Sequence, residues 1–182
     1  MINIYELKLT KLQRRIMELL FIKTGTSLNQ RQIAKSLKVS PPAVMKALPA
    51  LKNGNMIKIQ QDKESKRWSI ELNRDDHRIM QLKRIDNLRL IYYSGLADFL
   101  EKEFAGATII LFGSYSRGED TINSDIDLAI IGRKEKNVNL VDFENILKRK
   151  ININFYDSLK NIHKHLRENI TNGFIITGGI EL

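Results

Sequence analysis

Apolar residues in the first third of the chain recur at steps of three and four positions, the period of an α-helix with one buried face. This spacing covers three segments, from Leu9 to Lys23, from Asn29 to Leu37, and from about Pro41 to Lys52. Asn29 is a typical N-cap, and Ser40 opens the third segment ahead of two prolines at positions where a missing N–H costs nothing. The pattern therefore predicts three helices.

The period changes from about 3.6 to two after Asn53-Gly54-Asn55. Apolar positions then alternate in two short runs on either side of a charged turn at residues 62–66: Met56, Ile57 and Ile59 before it, and Trp68, Ile70 and Leu72 after it. Such alternation predicts a β-hairpin. Three helices followed by a hairpin with a basic tip resemble the winged helix-turn-helix domain of transcription regulators, over roughly residues 8 to 73.

The resemblance implies that the third helix enters the major groove of double-stranded DNA while the hairpin, or wing, contacts the backbone. Basic residues on these two elements are the expected DNA contacts: Lys46, Lys52, Lys63, Lys66 and Arg67. Lysine favours phosphate over base edges, so we expect salt-sensitive binding more than a strong sequence preference. A winged helix that contacts only proteins is the alternative.

Apolar positions return at steps of three and four between Asp75 and Glu103, where Gly95 is the only glycine and proline is absent. The stripe comprises Ile79, Leu82, Ile85, Leu88, Tyr92, Leu96 and Phe99, and a second set comprises Leu90, Ile91, Tyr93 and Leu100. The pattern predicts one long connecting helix whose apolar surface is wider than one packed neighbour needs. Two interpretations stay open, a homodimer seam and burial against the flanking domains.

The positive charge is concentrated in the first part of the chain. Of the net charge of +9, residues 1–75 contribute all, with 15 Lys and Arg against 6 Asp and Glu, whereas residues 76–182 carry 15 of each sign. This distribution is expected of a domain that meets a polyanion, although a solvated lysine surface would look the same.

Composition narrows the class of protein further. No stretch approaches the roughly 18 continuous apolar residues of a membrane span, and the N-terminus lacks the apolar segment of a signal peptide. The chain has no cysteine, which excludes disulfides and thiolate zinc sites. We therefore expect a cytoplasmic protein without a membrane partner.

A short apolar run from Thr108 to Phe112 ends at Gly113 and predicts a buried strand that feeds a tight turn. A glycine here lets the backbone approach a ligand, and a helical turn after it would aim free N–H groups at phosphates. Ser114 adds a hydroxyl donor, and Arg117 adds a fixed cation with fork geometry.

Asp125 and Asp127 follow in an alternating run in which Ile126, Leu128 and Ile130 would enter the core. On a strand the two carboxylates share one face, where they repel each other unless a cation lies between them. Mg²⁺ suits the position because it takes one or two carboxylates and completes its shell with water and substrate phosphates. Mn²⁺ is the alternative.

Together the two motifs, Leu-Phe-Gly-Ser-x-Ser-Arg-Gly-Glu and Ser-Asp-Ile-Asp-Leu, closely resemble the minimal nucleotidyltransferases of the DNA polymerase beta superfamily, over about residues 107 to 182. The resemblance implies that Gly113 and Ser114 cradle a nucleoside triphosphate (NTP), that Arg117 assists, and that Asp125 and Asp127 hold the metal ions. In that family an acceptor hydroxyl attacks the α-phosphate and pyrophosphate leaves.

The third acidic position of the family departs from the pattern. The matching strand runs from Lys150 to Tyr156, and the residue that aligns is Asn152. An amide oxygen can coordinate a metal, but it carries no charge and cannot act as a base. Asp157 has the wrong strand parity to replace it and is expected to cap a helix from Ser158 to Asn169.

These patterns predict an α+β fold with a winged helix (1–74), a connecting helix (75–104) and a nucleotidyltransferase domain (105–182). The leading hypothesis is a transcriptional regulator that binds DNA and Mg-NTP, with weakened or lost transfer. The alternative is an active enzyme that transfers a nucleotide to a protein, nucleic acid or small molecule. A protein acceptor stays open because some minimal relatives act as antitoxins that modify a toxin. A third hypothesis is an adaptor that binds neither ligand.

Overall fold

The computed structural model describes residues 8–61 and 68–180. The chain divides into two compact units, residues 1–80 and 81–182. Each unit mixes helices with a small sheet, which confirms the predicted α+β class. Within the described ranges, no helix combines the length and the apolar character needed to cross a membrane.

The first unit contains three helices and a two-stranded hairpin, as predicted. Their bounds are α1 (Lys11–Ile22), α2 (Gln30–Leu37), α3 (Pro41–Asn53), β1 (Ile57–Gln61) and β2 (Trp68–Leu72). Strands β1 and β2 pair antiparallel, with Ile57 opposite Leu72 and Gln61 opposite Trp68. The core is formed by the apolar faces of all five elements, including Ile16, Leu20, Ile33, Val44, Leu51, Ile57 and Ile70.

Each of the three helices begins at a side-chain cap. Thr10 and Asn29 form reciprocal capping boxes with the glutamine three residues later, which confirms the cap predicted at Asn29. Ser40 accepts a hydrogen bond from the N–H of Ala43, and two prolines occupy the first positions of α3. These caps satisfy N–H groups that would otherwise lack partners at the helix starts.

A short pairing outside the hairpin completes the first unit. The backbone of Leu28, between α1 and α2, exchanges two 2.8 Å hydrogen bonds with Ile70 of β2. The order is therefore helix, strand position, two helices and two strands. This is the topology of a winged helix, so the first unit is a winged helix.

The second unit is a four-stranded sheet with helices on both faces. Its elements are α4 (His77–Tyr93), which begins in the first unit, α5 (Leu96–Glu103), β3 (Thr108–Phe112), α6 (Gly113–Arg117), β4 (Ile126–Ile131), α7 (Val141–Leu147), β5 (Ile151–Tyr156), α8 (Lys164–Thr171) and β6 (Phe174–Thr177). The strand order is β5-β4-β3-β6, and only β4 and β5 are parallel. The predicted core positions Ile126, Leu128 and Ile130 have no exposed surface.

The single helix predicted from residue 75 to 103 is wrong, because the structure has two helices there. Gly95 separates α4 from α5 with φ +78°, a left-handed conformation that glycine adopts without strain. The predicted apolar stripe is also wrong in part. Ile85 is 61% exposed, whereas Lys83 is fully buried on the face that it shares with Ile79 and Ile91. An ion pair with the buried carboxylate of Asp120 explains the burial of Lys83.

The helix predicted from Ser158 to Asn169 is also wrong at its start. Residues Leu159–Asn161 form a single 3-10 turn, Ile162 is extended, and α8 begins only at Lys164. Ser158, and not Asp157, caps the turn, because its hydroxyl accepts a hydrogen bond from the N–H of Lys160 at 3.2 Å. A hydroxyl in an extended residue reaches the N–H two positions later, which the exposed carboxylate of Asp157 does not do here.

Candidate active site

Gly113 joins β3 to α6 and lies against a carboxylate of the next strand. Its φ is +76°, and a Cβ added to it would lie 2.6 Å from Oδ2 of Asp127. Any larger residue would therefore be strained and would displace that carboxylate. The glycine predicted for close backbone approach is required here for a second reason, which is contact with Asp127.

The turn of helix after Gly113 carries the two other predicted phosphate contacts. Ser114 is partly exposed, so its hydroxyl is accessible at the start of α6. Arg117 is exposed and donates to Glu119 at 2.8 Å and to Asn169 at 2.9 Å. The structure therefore shows Nε and Nη1 of Arg117 bound to a neighbouring carboxylate and to α8.

The three predicted catalytic residues meet at one end of strands β4 and β5. In the register of the sheet, Asp127 lies between Phe112 of β3 and Asn152 of β5. The amide nitrogen of Asn152 lies 3.1 Å from Oδ2 of Asp125 and 3.4 Å from Oδ1 of Asp127. Because both neighbours only accept hydrogen bonds, the NH₂ group faces them and offsets their mutual repulsion.

This constellation lies inside the part of the chain that a protein-family model recognises. Residues 94–177 match a model described as nucleotidyltransferase domain. These residues are a nucleotidyltransferase domain. Domains of this class generally use a nucleoside triphosphate and a divalent metal ion.

Solved structures similar to this chain include three bacterial proteins. MepR from a multidrug-resistant S. aureus isolate is 23% identical, with a TM-score of 0.37, over 42% of this chain and 56% of MepR. The adhesin competence repressor AdcR of Streptococcus pyogenes is 23% identical, with a TM-score of 0.42, over 54% of this chain and 69% of AdcR.

ZitR of Lactococcus lactis is 24% identical, with a TM-score of 0.41, over 55% of this chain and 65% of ZitR. The chain thus spans between 56% and 69% of the length of these three proteins. No curated protein matches the sequence. The order of helices and strands in the first unit identifies it as a winged helix.

The donor set of the nucleotidyltransferase domain fits one divalent cation better than two. Asp125 and Asp127 supply two carboxylates, the number that a magnesium-type ion takes from protein when phosphates complete its shell. Among residues 8–61 and 68–180, no group of three His, Cys, Asp or Glu side chains is arranged to hold a metal. Asn152 adds an uncharged amide to this pair.

No carboxylate described near Asn152 is available as a third metal ligand or as a base. Glu144 accepts from the N–H of Ile151 at 3.1 Å and from Nζ of Lys150 at 2.9 Å. The hydrogen bond from Lys150, followed by that from Ile151, holds the pKa of Glu144 below its ordinary value, which weakens it as a base. Asp157 follows the end of β5 and is exposed.

A groove of about 450 Å³ lies beside Asp125. It is formed by the loop before β4 and by the segment that leads from α7 into β5, and its lining residues are Ile122, Asn123, Ser124, Asp125, Glu144, Asn145, Lys148, Arg149 and Lys150. Its volume falls in the range of roughly 300–1,000 Å³ that is common for small-molecule sites. The groove therefore has room for part of a ligand next to the carboxylate pair.

Sequence reasoning missed a buried cluster around Asp120. This carboxylate pairs with Lys83 of α4 and with Arg149 before β5, and all three side chains are almost fully buried. Lys83 stands four residues after Ile79, and Asn87 follows four residues later, so the helical face was visible in the sequence. Nothing local, however, indicated that Asp120 would meet that face.

The predicted DNA contacts fall into two groups. Lys46 and Lys52 are exposed on α3, whose buried residues are Val44, Ala47, Leu48 and Leu51. Lys63, Lys66 and Arg67, predicted for the wing, lie outside the described residues. The exposed surface of α3 also includes Met45, which is 54% exposed.

Proposed function

We propose that the nucleotidyltransferase domain binds a nucleoside triphosphate together with Mg²⁺ and transfers its nucleotide weakly or not at all. The winged helix binds double-stranded DNA, so the chain acts as a transcriptional regulator. The observation that carries this proposal is the amide of Asn152, which donates to both Asp125 and Asp127 at the place where a base would be needed.

Nucleotide binding and nucleotide transfer require different groups at this end of the strands. Binding requires the backbone at Gly113, the hydroxyl of Ser114 and two carboxylates that can hold the cation, and these groups are present. The bound Mg²⁺ would neutralise phosphate charge and polarise the α-phosphate. Transfer also requires that the acceptor hydroxyl lose its proton as its oxygen bonds to the α-phosphate and pyrophosphate leaves. Asn152 offers no atom that can take this proton.

The DNA-binding part of the proposal rests on charge and exposure. The first 75 residues carry all of the net charge of +9, and the exposed face of α3 presents Lys46 and Lys52. Ammonium groups contact phosphates without reading bases, so binding should depend strongly on salt.

A homodimer is part of the same proposal. Ile85, Tyr92 and Tyr93 of α4 are 61%, 50% and 80% exposed, so this apolar surface is left uncovered by the described chain. A two-fold pair of chains would cover it and would present two winged helices to two half-sites. Light scattering after size-exclusion chromatography tests this arrangement, and a monomer at micromolar concentration would refute it.

A second candidate function, an active transferase, is favoured by the groove beside Asp125. Its position next to the carboxylate pair suits an acceptor molecule, which would be a protein, nucleic acid or small molecule. Label transferred from an α-labelled triphosphate by the unmodified protein would favour this candidate over the first.

Isothermal calorimetry with Mg·ATP and Mg·GTP tests the proposed binding. We expect saturable, Mg²⁺-dependent binding to the unmodified chain and its loss in Asp125→Asn/Asp127→Asn, which keeps the shape of both side chains but removes their charge. Glu101→Gln, which removes an exposed carboxylate from α5, is the matched control and should bind normally. Absence of binding to the unmodified protein would instead support an adaptor without ligands.

A further inference from the structure

Lys83 is a lysine with no exposed surface in the middle of α4. Its ammonium group pairs with Oδ1 of Asp120, which also accepts from the amide of Asn87 at 2.7 Å. The second oxygen of Asp120 accepts from a guanidinium nitrogen of Arg149 at 3.3 Å. The carboxylate of Asp120 thus contacts two buried cations and one amide.

Such a cluster is a poor way to gain stability alone. Removing two charges from water carries a large desolvation penalty, and apolar side chains of similar volume often replace a buried ion pair without loss. A buried charged cluster instead gives structural specificity, because it fixes its partners in one arrangement.

The cluster joins the segments that carry the nucleotide site. Asp120 lies between the end of α6 and Asp125, and Arg149 lies three residues before Asn152. Helix α4 also contacts α6 directly: Nδ2 of Asn87 donates to the carbonyl of Tyr115 at 2.9 Å, and Nε of Arg84 donates to the carbonyl of Ser116 at 3.1 Å. Helix α4 is therefore connected, directly or through Asp120, to three segments: α6, the loop before Asp125, and the start of β5.

We propose that Lys83 and Asp120 are positioning residues for the nucleotide site, which hold the loop of residues 118–125 and α6 in the arrangement that binds Mg-NTP. This inference rests on the proposed function, since it assigns residues that act through Gly113, Ser114 and Asp125. Without the ammonium group of Lys83, the loop keeps its fold but samples other positions. The groups that bind the cation and those that bind the phosphates are then no longer held in place at the same time.

The variant Lys83→Met tests the proposal with little disturbance elsewhere. It removes the charge and keeps an unbranched side chain, while Asp120 retains Arg149 and Asn87 as partners. The matched control is Ile91→Met, on the same face of α4 two turns later and also without exposed surface. The control perturbs the core without touching Asp120.

We expect Lys83→Met to weaken Mg·ATP binding about tenfold or more, while Ile91→Met changes it less than about twofold at a similar melting temperature. Equal affinities in Lys83→Met and the unmodified protein would overturn the proposal. Losses that follow melting temperature in both variants would overturn it too, since they would reflect stability alone.

Hydrogen exchange supplies a readout that needs no nucleotide, and its first part uses the unmodified protein alone. In the unmodified protein, backbone amides of residues 118–125 should exchange slowly for a loop, because the cluster holds them. In Lys83→Met this protection should fall selectively there and in α6. Rapid exchange of the loop in the unmodified protein would contradict the proposal even if nucleotide binds. Loop protection that Lys83→Met lowers selectively, without any nucleotide binding to the unmodified protein, would show that the cluster orders the loop and would refute the proposed function.

Discussion

The winged helix and the nucleotidyltransferase domain use charged residues in opposite ways. In the first 75 residues basic groups outnumber acidic ones by 15 to 6, and those on α3 are exposed. The remainder is balanced, and its key charges are paired in fixed geometry around Asp120 and around Asn152. Dispersed charge contributes to binding affinity through its total, whereas affinity at a site with fixed geometry depends on the positions of individual atoms. Single substitutions should therefore have small effects in the first unit and large ones in the second.

The largest effect is expected from Gly113→Ala. The new Cβ would lie 2.6 Å from Oδ2 of Asp127, so the carboxylate must move away from the cation position. We expect Mg·ATP affinity, measured by calorimetry, to fall about 100-fold or more, as misplacement of this size can cause.

A matched control separates this contact from backbone strain. Gly132 has φ +82°, and a Cβ added there would meet nothing within 4 Å. Gly132→Ala therefore introduces the same kind of strain without the collision, and it should lower the melting temperature but leave nucleotide binding intact. If both alanine variants bind nucleotide equally well, the contact with Asp127 is not what makes Gly113 necessary.

A smaller effect is expected from the exposed lysines of α3. Lys46→Ala and Lys52→Ala should each weaken binding to duplex DNA only a few-fold and by the same factor for different sequences. Each should reduce the slope of log affinity against log salt by about 0.9, the value for one lost phosphate contact. Fluorescence anisotropy over a salt series measures both quantities.

Lys102→Ala serves as the control for the lysine variants, because Lys102 is exposed on α5 of the other domain. Its salt slope should match that of the unmodified protein. A loss of binding that depends on DNA sequence would show that the lysines read base edges, and the contrast between dispersed charge and fixed geometry would then fail for α3.

The smallest effect concerns Asp76, a carboxylate of the first unit that is held in fixed geometry. Hydrogen bonds from Arg78, and then from Asn55, lower the pKa of Asp76 from its ordinary value of 3.8 to about 2. Because the folded pKa is depressed, its stabilisation is present above pH 3.8 and is lost as the pH falls toward 2.

We therefore expect Asp76→Asn to lower the melting temperature by about 2 to 4 °C at pH 7, measured by circular dichroism. The difference between variant and unmodified protein should shrink between pH 4 and pH 2. A difference that stays constant over this range would show that the carboxylate stabilises α4 through shape and not through charge.

Sequence predicted those parts of the fold that depend on neighbours along the chain. The caps at Asn29 and Ser40 and the change of period after residue 55 are local signals, and the elements they indicate are present. Gly113, Asp125 and Asp127 form a local motif as well. The alternation of a strand also predicted which residues of β5 share a face with Asn152, and Asn152 lies opposite Asp127 in the pairing of β4 with β5.

Sequence did not predict what depends on distant partners. Lys83 and Asp120 are 37 residues apart, and the apolar pattern gave no reason to bury a lysine instead of Ile85. Gly95 stands in a helical pattern that allows either continuation or a break, and only the packing of α5 decides between them. The contact of Gly113 with Asp127 likewise depends on the pairing of β3 with β4.

Asn152→Asp tests most directly whether this domain binds a triphosphate but lacks the group that completes transfer. Unmodified protein and variant are incubated with α-labelled triphosphates, Mg²⁺ or Mn²⁺, and candidate acceptors, and label on any acceptor is measured beside nucleotide affinity. We predict binding by both proteins, and transfer that is absent or weak in the unmodified chain and at least about tenfold faster in the variant. Efficient transfer by the unmodified protein that Asn152→Asp does not increase would contradict the account.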